Sequence, residues 1–473
     1  MVDSHEPGRP TVVRGGLDHQ GSPAEGLVLN AGKLREEGIE TVVLASQEAH
    51  GRLVGRRVPA GEFAGLVEAG PTLPSCVLAW DFAQNMEIDV AYAGLHTGYH
   101  DVVLRPDTTT LRRAGWLDAT AICLCDFQEV SDGSSVPIGP RNLLRTQLEW
   151  ATELGIKPVV ASELEFYLFR PGYDDARRAD YRNLEPTLLA ASDFSVRAAD
   201  AFDSFFRSLR QALSSSGIGV EFLQPETGLG QWEVNFGHAD ALRMADDHAI
   251  FKHAVKVIAR ENGMSATFMA RPSAGDMGSS GHLHISLLGP DGPLFHDPQD
   301  QHGIHPRMRA AIGGVLQYAP DLMLFYAPNV NSYKRTTSGD FAGCGGSWGI
   351  DNRTTSCRAV GSRPEATRFE FRVPGADANP YLAIAALVAS AIQGVLEDAD
   401  PGPAVVGNAY DQVGSALPAN LGEAVRAMQG SEFAASRFGA EAVDHYARLA
   451  EWEDAKFSLA VTDWETERYF ENA

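Results

Sequence analysis

The 473-residue sequence predicts an α+β protein, a small β-rich domain followed by a larger mixed one. Three observations predict it. The chain is too long for one ordinary small domain, so a large unit plus a smaller one is expected. Early in the chain, short β-type runs dominate, separated by Gly- and Pro-bearing turns. Later, β runs alternate with longer stretches of helical spacing. A hydrophobic fraction of 44% and a charged fraction of 21% fit a soluble globular protein with a sizeable core.

Taken in order, residues 1–26 are rich in Gly, Pro, His and charge without periodicity, which predicts a disordered arm. Residues 27–138 form the small domain, with strands expected in ETVVLAS, CVLAW and DVVLRPD. Residues 139–473 form the large one. A helix over Leu143 to Leu154 follows Pro140, and further helices are expected over Phe202 to Leu213, His238 to Asn262 and Tyr381 to Leu396. Between them lie the β runs PVVASELEFYLFR, VEFLQPETGLGQWEVNF, SATFMARP, GHLHISLL and TRFEFRVPG. The tail reads as a charged, aromatic-bearing pair of helices.

A net charge of −23 excludes a nucleic-acid or anionic-membrane surface, since phosphates would be repelled over long range. It does not exclude a phosphate substrate, because local arginines and metal ions invert the field inside a cleft. The five cysteines follow no zinc-ribbon or disulfide spacing, and Cys123 and Cys125 read as one face of a buried strand. A reduced, cytoplasmic setting is expected. The N-terminus lacks the order of a signal peptide. The longest apolar run is only about sixteen residues, which predicts a buried helix and not a membrane span.

Chemistry concentrates in three β runs that place ionisable residues at i and i+2, on one face of a strand. They are Glu163 and Glu165 in ASELEF, His282 and His284 in GHLHIS, and Arg368, Glu370 and Arg372 in TRFEFR. A solvated strand face would explain any one run. It explains the three together poorly, and burying such charges is costly unless they face metal ions or charged ligands. A fourth segment adds Glu226 and Glu233 around a Gly-bearing turn. Several carboxylates with a histidine suit Mg²⁺ or Mn²⁺ better than Zn²⁺. Arg335, Arg353, Arg358, Arg368 and Arg372 follow in close order, and arginine forks suit phosphate and carboxylate oxygens. Carboxylate-held metals with converging arginines describe phosphoryl transfer. Neither a Walker loop nor a kinase Gly-rich loop is present.

GRLVGRRVP, VVLRPDTTTLRRAGW, ASELEF, PETGLGQWE, TFMARPSAGDMGSSGHLHISL, NSYKR, RFEFRVPGADANPYLA and VTDWE, in that order, resemble the motif succession of the glutamine synthetase family. The resemblance covers nearly the whole chain after the arm. It implies an N-terminal β-grasp domain and a catalytic antiparallel sheet ringed by helices, assembled as a homo-oligomer of two stacked rings, a dodecamer. It also implies ATP and L-glutamate as substrates with an amine, and two or three Mg²⁺ or Mn²⁺ ions per site. Glu165, Glu226 and Glu233 would hold one metal, and Glu163, His282 and Glu370 another. Arg335, Arg372 and Gly278 would bind glutamate. His284, Ser286, Arg353, Arg358 and Arg368 would bind the nucleotide. Asp81 in AWDF would reach into the neighbouring subunit's site. Tyr410 lies where some members are adenylylated, although such a tyrosine also suits plain loop packing. The six ligands and five arginines argue against a scaffold that has lost catalysis, and the GADANPY block against a guanidino kinase.

Two departures bear on the amine. The flap glutamate that ammonia-using members carry after YKR is replaced, in a gap-free register, by Phe341 beside Asp340. The asparagine before the glutamate-binding glycine is Met277, and no counterpart of the ammonium-site tyrosine stands between Tyr181 and Phe194. An aromatic ring there favours an alkyl chain over a small hydrated cation. This resembles the branch that makes γ-glutamyl derivatives of polyamines, ethanolamine or other alkyl amines, whose members also carry WGxDNRT, here WGIDNRT. The other reading has Asp340 replacing the glutamate after a one-residue shift, which preserves ammonia use.

Overall fold

The computed structural model describes residues 30, 32–88, 90–336, 341–343, 345–361, 363–412 and 417–473. The predicted arm over 1–26 and Asp340 lie outside them.

Two sheets organise the described residues. The first contains β1 (Thr41–Gln47), β2 (Leu53–Pro59), β3 (Thr72–Pro74), β4 (Asp101–Pro106) and β5 (Thr120–Glu129), in the order β2-β1-β5-β4-β3. The β1–β2 hairpin is antiparallel and β1 runs parallel to β5, an arrangement of the β-grasp type. Cys123 and Cys125 are both fully buried in β5. The run CVLAW is not a strand. β3 ends at Pro74, and Ser75–Leu78 forms a 3-10 turn that buries Val77 and Leu78.

The second sheet is larger. Its strands are β6 (Lys157–Phe169), β7 (Val220–Pro225), β8 (Gln231–Phe236), β9 (Gly281–Gly289), β10 (Trp348–Ile350), β11 (Cys357–Val360) and β12 (Arg368–Phe371), in the order β10-β11-β12-β9-β6-β8-β7. All neighbours are antiparallel except β10 and β11, which run parallel. The run SATFMARP supplies only the short strand Ser265–Thr267 and then leaves the sheet.

Helices α1 (Pro140–Glu153), α2 (Ala241–Glu261), α3 (Pro306–Tyr318), α4 (Val330–Thr336) and α5 (Pro380–Glu397) surround that sheet. Pro140, Pro306 and Pro380 each sit at the first helical position, where a missing N–H costs nothing. Helix α5 is long and apolar enough to cross a membrane by composition, yet 78% of that stretch is buried inside the protein. It is a core helix. The tail forms α6 (Ala440–Leu459) and α7 (Asp463–Tyr469).

A buried arginine ties the two sheets together. Arg141 at the start of α1 donates to Asp246 of α2 at 2.9 and 3.0 Å, to Asp126 of β5 at 2.5 Å and to Asp107 at 2.9 Å. Tyr381 of α5 donates to the same Asp246 at 2.6 Å. Removing one member of such a network leaves charge uncompensated, at a cost of about 3–5 kcal/mol.

Candidate active site

Strand periodicity and register together build the site. On β6, β9 and β12 the alternate residues Leu164, Phe166, Leu283, Phe369 and Phe371 are at most 1% exposed and take the helix-covered side. Their neighbours therefore share the opposite face. Pairing then brings the ionisable residues side by side: Glu163 opposite His282, Glu165 opposite Glu233, and Glu370 between His284 and Arg358.

Glu163, His282 and Glu370 form the tightest group, with one potential ligand atom from each within 4.8 Å of the others. His282 Nδ1 lies 3.4 Å from Glu163 and 3.3 Å from Glu370. Burial and the nearby Arg372 pull the His282 imidazole down to about 4, so it is neutral near pH 7 and available as a ligand. Burial alone would raise Glu163, but hydrogen bonds with His282 and His284 outweigh it and hold the carboxyl well below its usual range. Glu370 is held at about 2, because Arg372 and the two histidines outweigh its burial.

Glu165, Glu226 and Glu233 behave in the opposite way. Burial and the charges of Glu165 and Asp193 push Glu226 up to about 8. Burial and the other carboxylates push Glu233 up to about 9. Glu165 is also raised, chiefly by burial, despite Arg335, Arg372 and the Ser280 N–H that donates to it at 2.8 Å. These three do not converge as closely as the first group. They are nevertheless crowded enough to repel, and a divalent cation relieves such crowding. Two carboxylates with one neutral imidazole in the first set, and three carboxylates in the second, fit Mg²⁺ or Mn²⁺.

The arginines border the first group. Arg358 donates to Glu370 at 3.0 Å and to Asp351 at 2.9 Å. Arg372 pairs with Glu370 and donates to the Phe341 carbonyl at 3.1 Å. Arg368 donates to His284 Nδ1 at 3.2 Å, while His284 Nε2 meets Glu163 at 2.8 Å. Ser286 follows on β9, half-buried. Arg353 is exposed in the loop after β10. Arg335 of α4 differs: it is 1% exposed and donates to the carbonyls of Val373 and Arg372 and to Ser280 Oγ. It stiffens the floor under the site.

Gly278 packs directly on Arg335. A Cβ there would stand 2.7 Å from Arg335 Cγ and 3.0 Å from the Ala270 carbonyl, so no side chain fits. Asp81 is not brought to this face. Its carboxylate accepts from the Ala83 and Asn85 N–H groups, from Asn85 Nδ2 and from Trp452 Nε1. Phe341 is 53% exposed with φ +53°, and its carbonyl is held by Arg372. Tyr410 lies within the short turn Ala409–Asp411, which Asn408 caps by accepting from the Tyr410 N–H at 3.2 Å.

Several contributors escaped the sequence reading. Gln231 bridges Glu165 at 2.8 Å and the Gly278 carbonyl at 2.9 Å, and Gln224 donates to Glu233 at 2.7 Å. Gln231 stands two residues before Glu233 on one strand face, so the same parity that exposed the glutamates could have revealed it. Asp351 and Asp193 sit in loops, where no periodicity marks them. Asp193 accepts from Thr227 Oγ1 at 3.3 Å, beside Glu226.

Residues 137–469 match the family model described as glutamine synthetase, catalytic domain. The chain is 36% identical over 443 residues to a glutamate–isopropylamine ligase of a Pseudomonas species, covering 93% of this chain and 96% of that one. It is 39% identical over 437 residues to a γ-glutamylethanolamide synthetase of Streptomyces coelicolor, covering 92% and 93%. The solved structure of GmaS in complex with ADP superposes with a TM-score of 0.82 at 28% identity, covering 94% of this chain and 99% of that one.

Proposed function

Since the chain belongs to the glutamine synthetase family, we propose that it is an ATP-dependent ligase joining the γ-carboxylate of L-glutamate to an organic amine. The observation that carries this reading is the convergence of Glu163, His282 and Glu370 beside Arg358 and Arg372, together with full-length similarity to two glutamate–amine ligases.

A carboxylate resists amines because attack would have to expel oxide. Transfer of the γ-phosphoryl group of ATP to the glutamate carboxylate gives an acyl phosphate and ADP. The amine nitrogen then forms the amide bond and phosphate leaves with the bonding pair. We assign Arg353, Arg358 and Arg368, with His284 and Ser286, to the nucleotide and its phosphates. Arg372, Gly278 and the Arg335 floor are assigned to glutamate. Arginine forks neutralise oxygens that crowd together as the phosphoryl group moves. Divalent cations on the two donor sets would add the charge that screens ATP from the glutamate carboxylate.

The amine must lose a proton to attack. Asp193, exposed beside Glu226 and without a cationic partner among the described residues, is the acceptor we assign on that side. Phe341 offers an aromatic wall to an alkyl substituent. The names of the two relatives favour a short alkyl or hydroxyalkyl amine over a polyamine. Asp81, held in its loop by Asn85 and Trp452, is proposed to be presented to a neighbouring subunit. Assembly in stacked rings would cover Leu459, Val461, Trp464 and Phe470, all exposed on the tail. The unpaired Cys76, Cys123, Cys125 and Cys357 favour a cytoplasmic setting.

ADP release with ATP, Mg²⁺ and glutamate, comparing isopropylamine, ethanolamine, putrescine and ammonium, tests the reading. The expected order places isopropylamine or ethanolamine first. Ammonium as the preferred acceptor would overturn the assignment of Phe341, and ADP release that ignores glutamate would overturn the reaction.

A further inference from the structure

Away from the sheet face, a cavity of 420 Å³ opens between the β1–β2 turn, the Asp81 loop and helix α2. Helix α2 turns Lys252, His253 and Lys256 toward it, and Arg52 and Phe82 close the far side. Lys252 and Lys256 are four residues apart, one helical turn. Their ammonium groups converge on one ring, with Lys252 Nζ 5.4 Å and Lys256 Nζ 5.7 Å from the Phe268 centroid. Like charges at this spacing destabilise a helix.

The protein does little to offset them. Among the described residues neither lysine has a carboxylate within ion-pair distance, although the chain as a whole carries a net charge of −23. Lys252 donates to the Ala376 and Ala378 carbonyls at 2.7 and 3.1 Å. Arg52 is already bound to Glu48. Of the two acids on the cavity wall, Asp377 is engaged by Asn329 and Ser332, and burial pushes Glu453 toward its neutral form. Burial and the neighbouring Lys256 lower Lys252 to about 7, the direction expected of a cation short of a counter-charge.

We propose that this cavity is a second binding site, separate from the sheet face, for a small anion bearing phosphate or carboxylate groups held by Lys252, Lys256 and His253. Its walls connect to the catalytic machinery. Asn331 clamps the backbone of Arg271 at 2.9 Å in both directions, at the start of the segment that ends in Gly278. Ser332 and Asp377 hold α4, which carries Arg335. An occupant would therefore bear on the floor beneath glutamate.

The test titrates the full-length chain in EDTA with inorganic phosphate and, separately, with succinate, followed by calorimetry. Saturable binding of one equivalent is expected for at least one of them. Lys256→Gln, at an exposed helix position, should weaken it roughly tenfold or more, and Arg353→Gln on the active-site loop should not. Phosphate binding alone assigns phosphate-bearing ligands; succinate binding alone assigns dicarboxylates. The proposal fails if neither binds up to about 10 mM, or if Lys256→Gln and Lys252→Met both leave binding unchanged. It also fails if Lys256→Gln alters the oligomeric state, for then a second copy of the chain fills the cavity.

Discussion

Glu163 and His282 stand directly opposite each other on antiparallel neighbours β6 and β9, with a carboxylate oxygen 3.4 Å from Nδ1. Cross-strand pairs are close because the pleat brings facing side chains together. Here that closeness is used to gather donors, and Glu370 from β12 completes the group.

Glu163→Gln keeps the shape of this pair while removing a charge. The half-saturating Mg²⁺ concentration for ADP release should rise by about tenfold or more. A Mg²⁺ titration at saturating ATP and glutamate checks it, and an unchanged midpoint would remove Glu163 from the donor set.

The crowded carboxylates predict a pH dependence of stability. Glu226 and Glu233 are raised to about 8 and about 9 in the folded chain from an ordinary value near 4.5. Both are protonated in either state at low pH. As pH rises, the unfolded chain releases these protons first, so folding stability falls until pH passes the folded values. In EDTA the melting temperature should drop between about pH 5 and 9, and saturating Mg²⁺ should flatten that slope. Parallel slopes with and without the metal would contradict the assignment.

Phe341→Ala removes the aromatic wall without touching the carbonyl that Arg372 holds. We expect the KM for isopropylamine to rise about three- to tenfold while the KM for glutamate stays put, the size of a lost apolar contact.

Asp193→Asn should lower kcat and shift the pH–rate profile upward, since a free amine must then be supplied by solution. An unshifted profile with an unchanged kcat would remove Asp193 from the amine side.

Gly278→Ala tests the floor. The added methyl meets Arg335 Cγ at 2.7 Å, so the segment must move. Displacements of this order cost up to about a hundredfold in rate, and we expect the loss chiefly in the KM for glutamate. Steady-state kinetics with varied glutamate, against unchanged ATP affinity, separates this from general unfolding.

Parity made much of the sheet face legible. Glu163, Glu165, His282, His284, Arg368 and Glu370 announce a shared face because strands have a period of two, and their apolar neighbours are buried as that period requires. Which strands are neighbours is a matter of long-range pairing, and no local signal carries it. The pairing of Glu165 with Glu233, across about seventy residues of chain, is such a case. CVLAW misled because apolar β-type residues after Pro74 also fit a tight turn that buries Val77 and Leu78. Asp193 and Asp351 were hidden because loop geometry is set by the scaffold that the loop spans. The burial of Arg335 carries no local signal, because the Arg372 and Val373 carbonyls that receive its guanidinium lie 37 and 38 residues further along the chain.

The alternation on β6, β9 and β12 also limits how this scaffold can diversify. Inserting or deleting a single residue within those strands would turn Leu164 or Phe369 toward the donors and glutamates into the core. The phosphoryl-transfer face can therefore drift only by like-for-like replacement. Asp193 and Phe341 lie outside the strands and have no such parity to preserve. On the proposed assignment of Asp193 and Phe341 to the amine side, directed evolution toward new γ-glutamyl amides should begin its libraries at those two positions.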